Sequence, residues 1–97
     1  MAQFMLLHVG FEPPTPEIMT AWKEWFETTA DCAVAHGGLM SGRLVDDSGV
    51  ESLEMGLDAM TGYSIIEAEN IDEAVTIAKS NPYITGVRVY QIRPHGG

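Results

Sequence analysis

The 97-residue sequence is poor in several features that mark common classes of protein. It has one cysteine, Cys32, so no disulfide can form within the chain, which is typical of a reducing compartment. Its longest unbroken apolar runs cover only a few residues, whereas a membrane-spanning helix needs about 20. The first ten residues contain no lysine or arginine, and we therefore expect no signal peptide. Together these absences predict a cytoplasmic protein that does not contact a membrane.

Basic residues and metal-ligand patterns are also scarce. Five Lys and Arg stand against 14 Asp and Glu, a formal charge of −9, and such a field would repel the phosphates of nucleic acids. The histidines, His8, His36 and His95, are far apart, and no cysteine pair accompanies them. We therefore predict no nucleic-acid partner, no metal site and, because no phosphate-binding glycine motif precedes a helix, no cofactor.

The N-terminal half contains the pattern of a strand followed by an amphipathic helix. Residues Gln3–Val9 are apolar on both faces, as in a strand covered on both sides. Thr15 and Pro16 suit the start of a helix, which the apolar spacing extends to about Ala35. The glycines after His36 would end this helix, with His36 near its C-terminus.

The C-terminal half repeats the pattern in a shorter form. Asn70 and Glu73 predict the start of a second helix, which Asn81-Pro82 ends. The predicted extended segments are Leu39–Val45, Val50–Met55, Thr61–Glu69 and Gly86–Arg93. The resulting order predicts a single α+β domain over residues 1–97 with the ferredoxin-like βαββαβ fold, in which both helices cover one face of an antiparallel sheet.

The other face of this sheet should be polar in a monomer, but the strands carry bulky apolar residues in both registers. In the first strand Phe4 and Leu6 point to one side, and Met5, Leu7 and Val9 to the other. An exposed apolar patch of this kind predicts a homodimer formed through sheet faces. The alternative is a looser strand register with fewer exposed apolar groups.

His8 is the residue best suited to chemistry, since a histidine can act as a base near neutral pH. If its register is the one that faces the partner chain, His8 would line a cleft between sheet and loops, where Arg88 could bind an anionic group and the tyrosines could form hydrogen bonds to a ligand. The predicted ligand-binding residues are Tyr63, Arg88, Tyr90 and Trp22, the last at the edge of a pocket. The alternative interpretation is structural. His8 would then be a histidine at the end of a strand with its hydrogen bonds made within the protein, Arg88 would form an ion pair with Glu67, and Trp22 would pack in the core.

Long stretches of the chain also resemble YCII-related proteins, which include the DGPF-domain group. The resemblance is carried by "TGYSIIEAENIDEAVTIAKSNPYITGVRVYQIRP" in the second half, and by "FMLLHVG", "PTPEIMTAWKEWF" and "DSGVESLEMGLDAMTGY" before it. It covers nearly the whole chain. It implies a dimeric α/β barrel, in which two ferredoxin-like sheets pack face to face.

The sequence departs from the family pattern at two places. The DGPF tetrapeptide is replaced by "GLDAM" at residues 56–60. The family's His–Asp pair is also missing, because the first helix begins without a histidine and Asn81 stands before Pro82. An asparagine cannot take up a proton at ordinary pH, so that acid–base pair does not carry over.

These features predict a small homodimeric protein that binds or transforms a small organic molecule in a cleft between sheet and loops, with His8 as the candidate catalytic residue. Two alternatives remain open. One is a non-catalytic dimerisation or interaction module, and the other is a cofactor-free monooxygenase or isomerase acting on aromatic compounds. The sequence does not decide whether the protein is an enzyme.

Overall fold

The computed structural model describes residues 1–94, which form one four-stranded antiparallel sheet, two helices and a separate β-hairpin. The sheet order is β2-β5-β1-β6, and β3 pairs only with β4. The predicted ferredoxin-like α+β fold is confirmed; His95 lies outside the described residues. The elements are β1 (Ala2–Val9), α1 (Pro16–Thr28), β2 (Ala33–Gly38), β3 (Arg43–Asp46), β4 (Gly49–Ser52), β5 (Met60–Ala68), α2 (Ile71–Lys79) and β6 (Gly86–Gln91).

Strict alternation along β1 and β5 separates the two faces of the sheet. In β1 the side chains of Phe4, Leu6 and His8 are buried beneath the helices, while Met5 and Leu7 on the other face are only half-buried. The same alternation buries Ser64, Ile66 and Ala68 in β5. We call the side without helices the bare face; by pairing register it carries Met5, Leu7, Tyr63, Ile65, Arg88 and Tyr90.

The two helices lie at different distances from the sheet because their inner side chains differ in size. Helix α2 presents Ala74 and Ala78, both buried, and its backbone comes within 8 Å of β1, β5 and β6. Among the described residues, no Cα atom of α1 lies within 8 Å of a Cα atom in any other helix or strand. The inner side of α1 carries large rings, those of Trp22, Trp25 and Phe26, which hold the helix away from the sheet.

The end of the first helix was predicted wrongly. Helix α1 ends at Thr28, and Ala33–Gly38 forms β2 instead of the last helical turns. Thr29 ends the helix, and its hydroxyl donates to the carbonyl of Trp25 at 2.8 Å. The following residues pair with Ile65 and Ile66 of β5, so tertiary pairing overrides the helix preference of the alanines. His36 therefore lies in a strand and does not cap a helix.

The remaining elements follow the sequence more closely. The side chains of Thr15 and Asn70 accept hydrogen bonds from the backbone of Ile18 and Glu73, at 3.2 and 2.9 Å, as the capping signals predict. The predicted extended segments around the Asp-rich turn are found as β3 and β4, although both are shorter than expected. Within residues 1–94, neither helix is long and apolar enough to span a bilayer.

Candidate ligand-binding cavity beside His8

A cavity of about 900 Å³ lies between α1, the loop after β1 and the ends of β2 and β5. Its volume is within the range of pockets that hold small organic molecules. Apolar and aromatic side chains form most of the wall, and few polar groups reach it. The rings that line the cavity on the helix side belong to His8, Phe11, Trp22, Phe26 and His36.

The cavity exists because α1 is supported at a distance from the sheet. Trp25 is 4% exposed and fills the space between the helix and the core, while its indole Nε1–H donates to Ser80 Oγ at 3.0 Å. That bond ties α1 to the end of α2. On the β2 side, Gly38 and Gly62 leave the sheet without large side chains under α1, so the space there stays open, whereas Gly37 makes room for the Tyr63 ring on the other face.

His8 lies on the floor of this space, between the sheet and the aromatic residues of α1. Its Nε2 shares a hydrogen bond of 3.1 Å with Ser64 Oγ, and the tautomer decides which group donates. The ring meets Trp22 edge to face, with centroids 4.9 Å apart, and meets Trp25 in the same way at 6.0 Å. Both contacts are in the range of favourable aromatic pairs, so the imidazole is firmly oriented.

Burial lowers the pKa of His8 from 6.5 to about 4, because the imidazolium ion would lose its hydration. Asn81 offsets a small part of this effect by favouring the protonated ring. His8 is therefore neutral at pH 7. A neutral imidazole can donate or accept a hydrogen bond, but it does not supply a positive charge to an anionic ligand.

Three buried polar atoms of His8 and Asn81 have no hydrogen-bond partner. His8 Nδ1 and both amide atoms of Asn81 are buried and lack a hydrogen bond of good geometry. Asn81 is 4% exposed and is close enough to His8 to affect its pKa. Unpaired buried polar atoms each cost about 1–3 kcal/mol.

A second histidine, His36, lines the cavity from β2, on the same face of the sheet as His8. The ring of His36 stacks on Phe26 with centroids 4.5 Å apart and an angle of 26° between the planes. This stacking holds the His36 ring in a defined orientation at the wall of the cavity. Charged side chains are also present in the lining, Glu12, Lys23 and Glu27, all of them at least partly exposed.

The structure brings together only some of the residues predicted from the sequence. His8 and Trp22 line the cavity on the helix side, so His8 faces the helices, whereas its predicted cleft required it to face a partner chain. Tyr63 borders the cavity, but its register opposite Leu7 places its side chain on the bare face. Arg88 and Tyr90 do not join them, because their register places them on the bare face opposite Leu7 and Met5. The alternative Arg88–Glu67 pair does not form either: these residues lie opposite Leu7 and Gln3, positions about 13 Å apart along β1.

Several wall residues were not found from the sequence. Ser64 and Asn81 contact His8 only because β5 and the end of α2 pack beside β1. His36 was missed because the helix prediction continued through it. Phe11 follows the strand as one apolar residue in a proline-rich loop, a weak signal at best.

Within residues 1–94, no three His, Cys, Asp or Glu side chains come together as the ligands of a metal ion would. Cys32 is half-buried, and burial raises the pKa of its thiol. A raised pKa keeps the thiol protonated and weakly reactive at neutral pH.

A solved structure shares this fold over nearly the whole length of both chains. The 5-chloro-2-hydroxyhydroquinone dehydrochlorinase of Burkholderia phenoliruptrix, in complex with 2,5-dihydroxybenzoquinone, is similar with a TM-score of 0.59 and 18% identity. The alignment covers 94% of this chain and 93% of that chain. No protein-family profile matches the sequence, and no curated protein matches it. The similarity therefore establishes the fold.

Proposed function

We propose that this protein binds a small, flat, largely apolar organic molecule in the cavity beside His8. The observation that carries the proposal is the cavity itself: about 900 Å³ with aromatic walls and a buried, neutral histidine on its floor. Aromatic side chains favour a planar ligand, which can stack between them. The few polar groups would fix its orientation through hydrogen bonds to an oxygen atom of the ligand.

The state of His8 favours binding over proton transfer. Its Nε2 is engaged by Ser64 and its Nδ1 is buried, so neither nitrogen is free to approach a ligand in this conformation. The neutral imidazole of His8 is also a weak base, because the pKa of its protonated form is only about 4. His8 remains our candidate for a catalytic residue if the protein is an enzyme, and its ring would then have to leave Ser64.

The known ligand of the similar structure suggests which class of compound to test. That dehydrochlorinase was solved with 2,5-dihydroxybenzoquinone, a planar oxygenated ring. We infer that quinones, hydroquinones and phenols are the first compounds to try. We also propose that the chain is a YCII-related protein; the same structural similarity and the sequence motifs support this.

We propose further that the protein is a homodimer whose bare faces pack against each other. The half-exposed side chains of Met5, Leu7 and Ile65, together with Tyr90 at 51% exposure, form an apolar surface without cover in one chain. A second copy would bury this surface and give the dimeric α/β barrel implied by the sequence resemblance.

Calorimetric titration with 2,5-dihydroxybenzoquinone and a panel of phenols and hydroquinones tests the binding proposal. The expected result is one site per chain for at least one compound. Ile18→Trp would fill the cavity from α1 and should weaken binding at least tenfold. Thr20→Trp adds the same side chain on the other side of α1 and should bind as the wild type does.

If no compound of the panel binds, or if Ile18→Trp and Thr20→Trp bind with equal affinity, the cavity is not the ligand site. Circular dichroism of both variants would establish that the fold is retained. The same compounds, incubated with the protein and followed by chromatography, would reveal turnover if the protein is also an enzyme.

A further inference from the structure

The β3–β4 hairpin, residues 43–52, is a second feature that the cavity does not explain. We call it the arm. All eight strand residues are exposed, and among residues 1–94 β3 pairs with no strand except β4. A two-stranded hairpin in water is marginally stable at best, so an arm of this kind normally needs a surface to pack against.

One side of the arm carries an exposed apolar pair. Val45 and Val50 lie directly opposite each other across the hairpin and are 71% and 70% exposed. A cross-strand pair of β-branched residues stabilises a sheet chiefly when its face is covered. In one chain this pair faces solvent.

The base of the arm holds it in a defined direction. The Leu53 amide donates to the carbonyl of Gly42 at 2.9 Å, and Arg43 Nη1 donates to the carbonyls of Ser41 and Gly42 at 3.2 and 3.0 Å. Ser41 has a φ of 56°, a left-handed conformation uncommon outside glycine. The base of the arm is thus ordered, and the arm leaves the sheet between the end of β2 and the start of β5.

The dimensions of the chain agree with a projecting arm. The radius of gyration is 14.6 Å, against about 12.5 Å for a compact domain of this length. The accessible surface is 6908 Å², roughly 1,400 Å² more than a monomer of 10.6 kDa usually exposes. A standard stable interface buries about 800 Å² on each partner, so the excess is large enough for one.

Charge indicates where the arm would lie. The arm carries Asp46, Asp47 and Glu51 against one cation, Arg43. By register Arg43 shares the face of the valine pair, Glu51 lies on the other face, and Asp46 and Asp47 lie at the turn. The segment from Ile84 to Pro94 contains two arginines and no acid, although the whole chain has a charge of −9. Strand β6 in that segment is an edge of the sheet, and Tyr90 on its bare face is half exposed.

We propose that the arm of each copy packs across β6 of a second copy of this chain, with Val45 and Val50 on Tyr90 and the acidic turn at Asp46 and Asp47 close to Arg88 and Arg93. This rests on the proposed dimer and deepens it: the bare faces would form the centre of the interface and the exchanged arms its margin. Complementary charge at such a margin favours correct register and faster association.

Disulfide cross-linking between differently tagged chains tests the arrangement directly. In a Cys32→Ser background, one chain carries Val50→Cys and the other Tyr90→Cys. Mild oxidation should give a covalent heterodimer in high yield. A matched mixture with Ile71→Cys, an exposed position on α2, in place of Tyr90→Cys should give little.

The double variant Val45→Ser/Val50→Ser should raise the dissociation constant of the dimer at least tenfold in sedimentation experiments, and 0.5 M NaCl should weaken the wild-type dimer. Ile71→Ser, which also removes an exposed apolar residue, should leave the constant unchanged.

If the wild type dimerises but the Val45/Val50 variant has the same constant and no Val50–Tyr90 cross-link forms, the arm proposal is wrong and the sheet-face dimer stands. If the wild type is monomeric, both are wrong.

Discussion

At the scale of single residues, His8 makes a prediction about stability and pH. Its pKa is about 4 in the folded chain and near 6.5 when unfolded. Below pH 6.5 the unfolded state binds a proton that the folded state does not, so protonation favours unfolding. The contribution of neutral His8 to the free energy of unfolding is therefore present above about pH 6.5 and is lost as the pH falls towards 4.

Urea unfolding at pH 7 and pH 5 measures this effect. The wild type should lose about 1–2 kcal/mol more stability between these two pH values than His8→Leu, which has no titrating ring at this position. Acidic residues that titrate lower affect both proteins alike and cancel in the comparison. Equal losses in the two proteins would mean that His8 is accessible to water and titrates normally.

A second residue-scale prediction concerns Gly10, which turns the chain from β1 into the cavity loop. Its φ of +108° is one that side chains rarely adopt, and a Cβ there would lie 2.7 Å from the backbone nitrogen of Thr85. Gly10→Ala should therefore cost at least about 1–2 kcal/mol of unfolding free energy. Gly86→Ala is the control, since a Cβ at Gly86 would meet nothing within 4 Å. Thermal denaturation of both variants would separate the two cases, and equal melting temperatures would contradict the strain argument.

At the scale of elements, the sequence predicted what local patterns determine and failed where pairing partners decide. The caps at Thr15 and Asn70, and the strand alternation of β1, depend on neighbouring residues and were predicted correctly. The segment Ala33–Gly38 becomes a strand because β5 offers it an edge, and no local signal reports that edge.

The candidate site was only partly predictable for the same reason. Choosing His8 and Trp22 required only their residue types and spacing. Placing Tyr90 and Arg88 required the strand register, since one face of the sheet lines the cavity and the other is bare. Ser64 and Asn81 reach His8 from segments more than 50 residues away in sequence, which spacing rules do not detect.

The close packing of α2 gives a prediction at this scale. Ala74 is fully buried between α2 and the sheet, so Ala74→Leu would force larger atoms into a closed space. Overpacking of this kind costs about 1–3 kcal/mol. Val75→Leu, one residue along the same helix and 36% exposed, should change stability by less than about 0.5 kcal/mol. Chemical denaturation would measure both, and an unaffected Ala74→Leu would mean that α2 can move away from the sheet.

At the scale of the whole molecule, the two sides of the sheet have different consequences. On one side, small residues let α2 close over the core and large rings hold α1 away, and the difference creates the cavity. On the other side, apolar side chains have no helix above them. The same sheet thus supports a binding site within one chain and offers a surface to a second chain.

The final prediction concerns dimerisation through the bare face. Ile65 is flanked by Met5 on β1 and Ala35 on β2, near the centre of this face. Ile65→Glu would place a charge in the proposed interface without a partner, and burying such a charge is costly. We expect this variant to sediment as a folded monomer of about 10.6 kDa at concentrations where the wild type is a dimer. Val75→Glu adds the same charge on the helix side and should remain dimeric, so a monomeric Val75→Glu would point to net charge, and not to the bare face, as the cause.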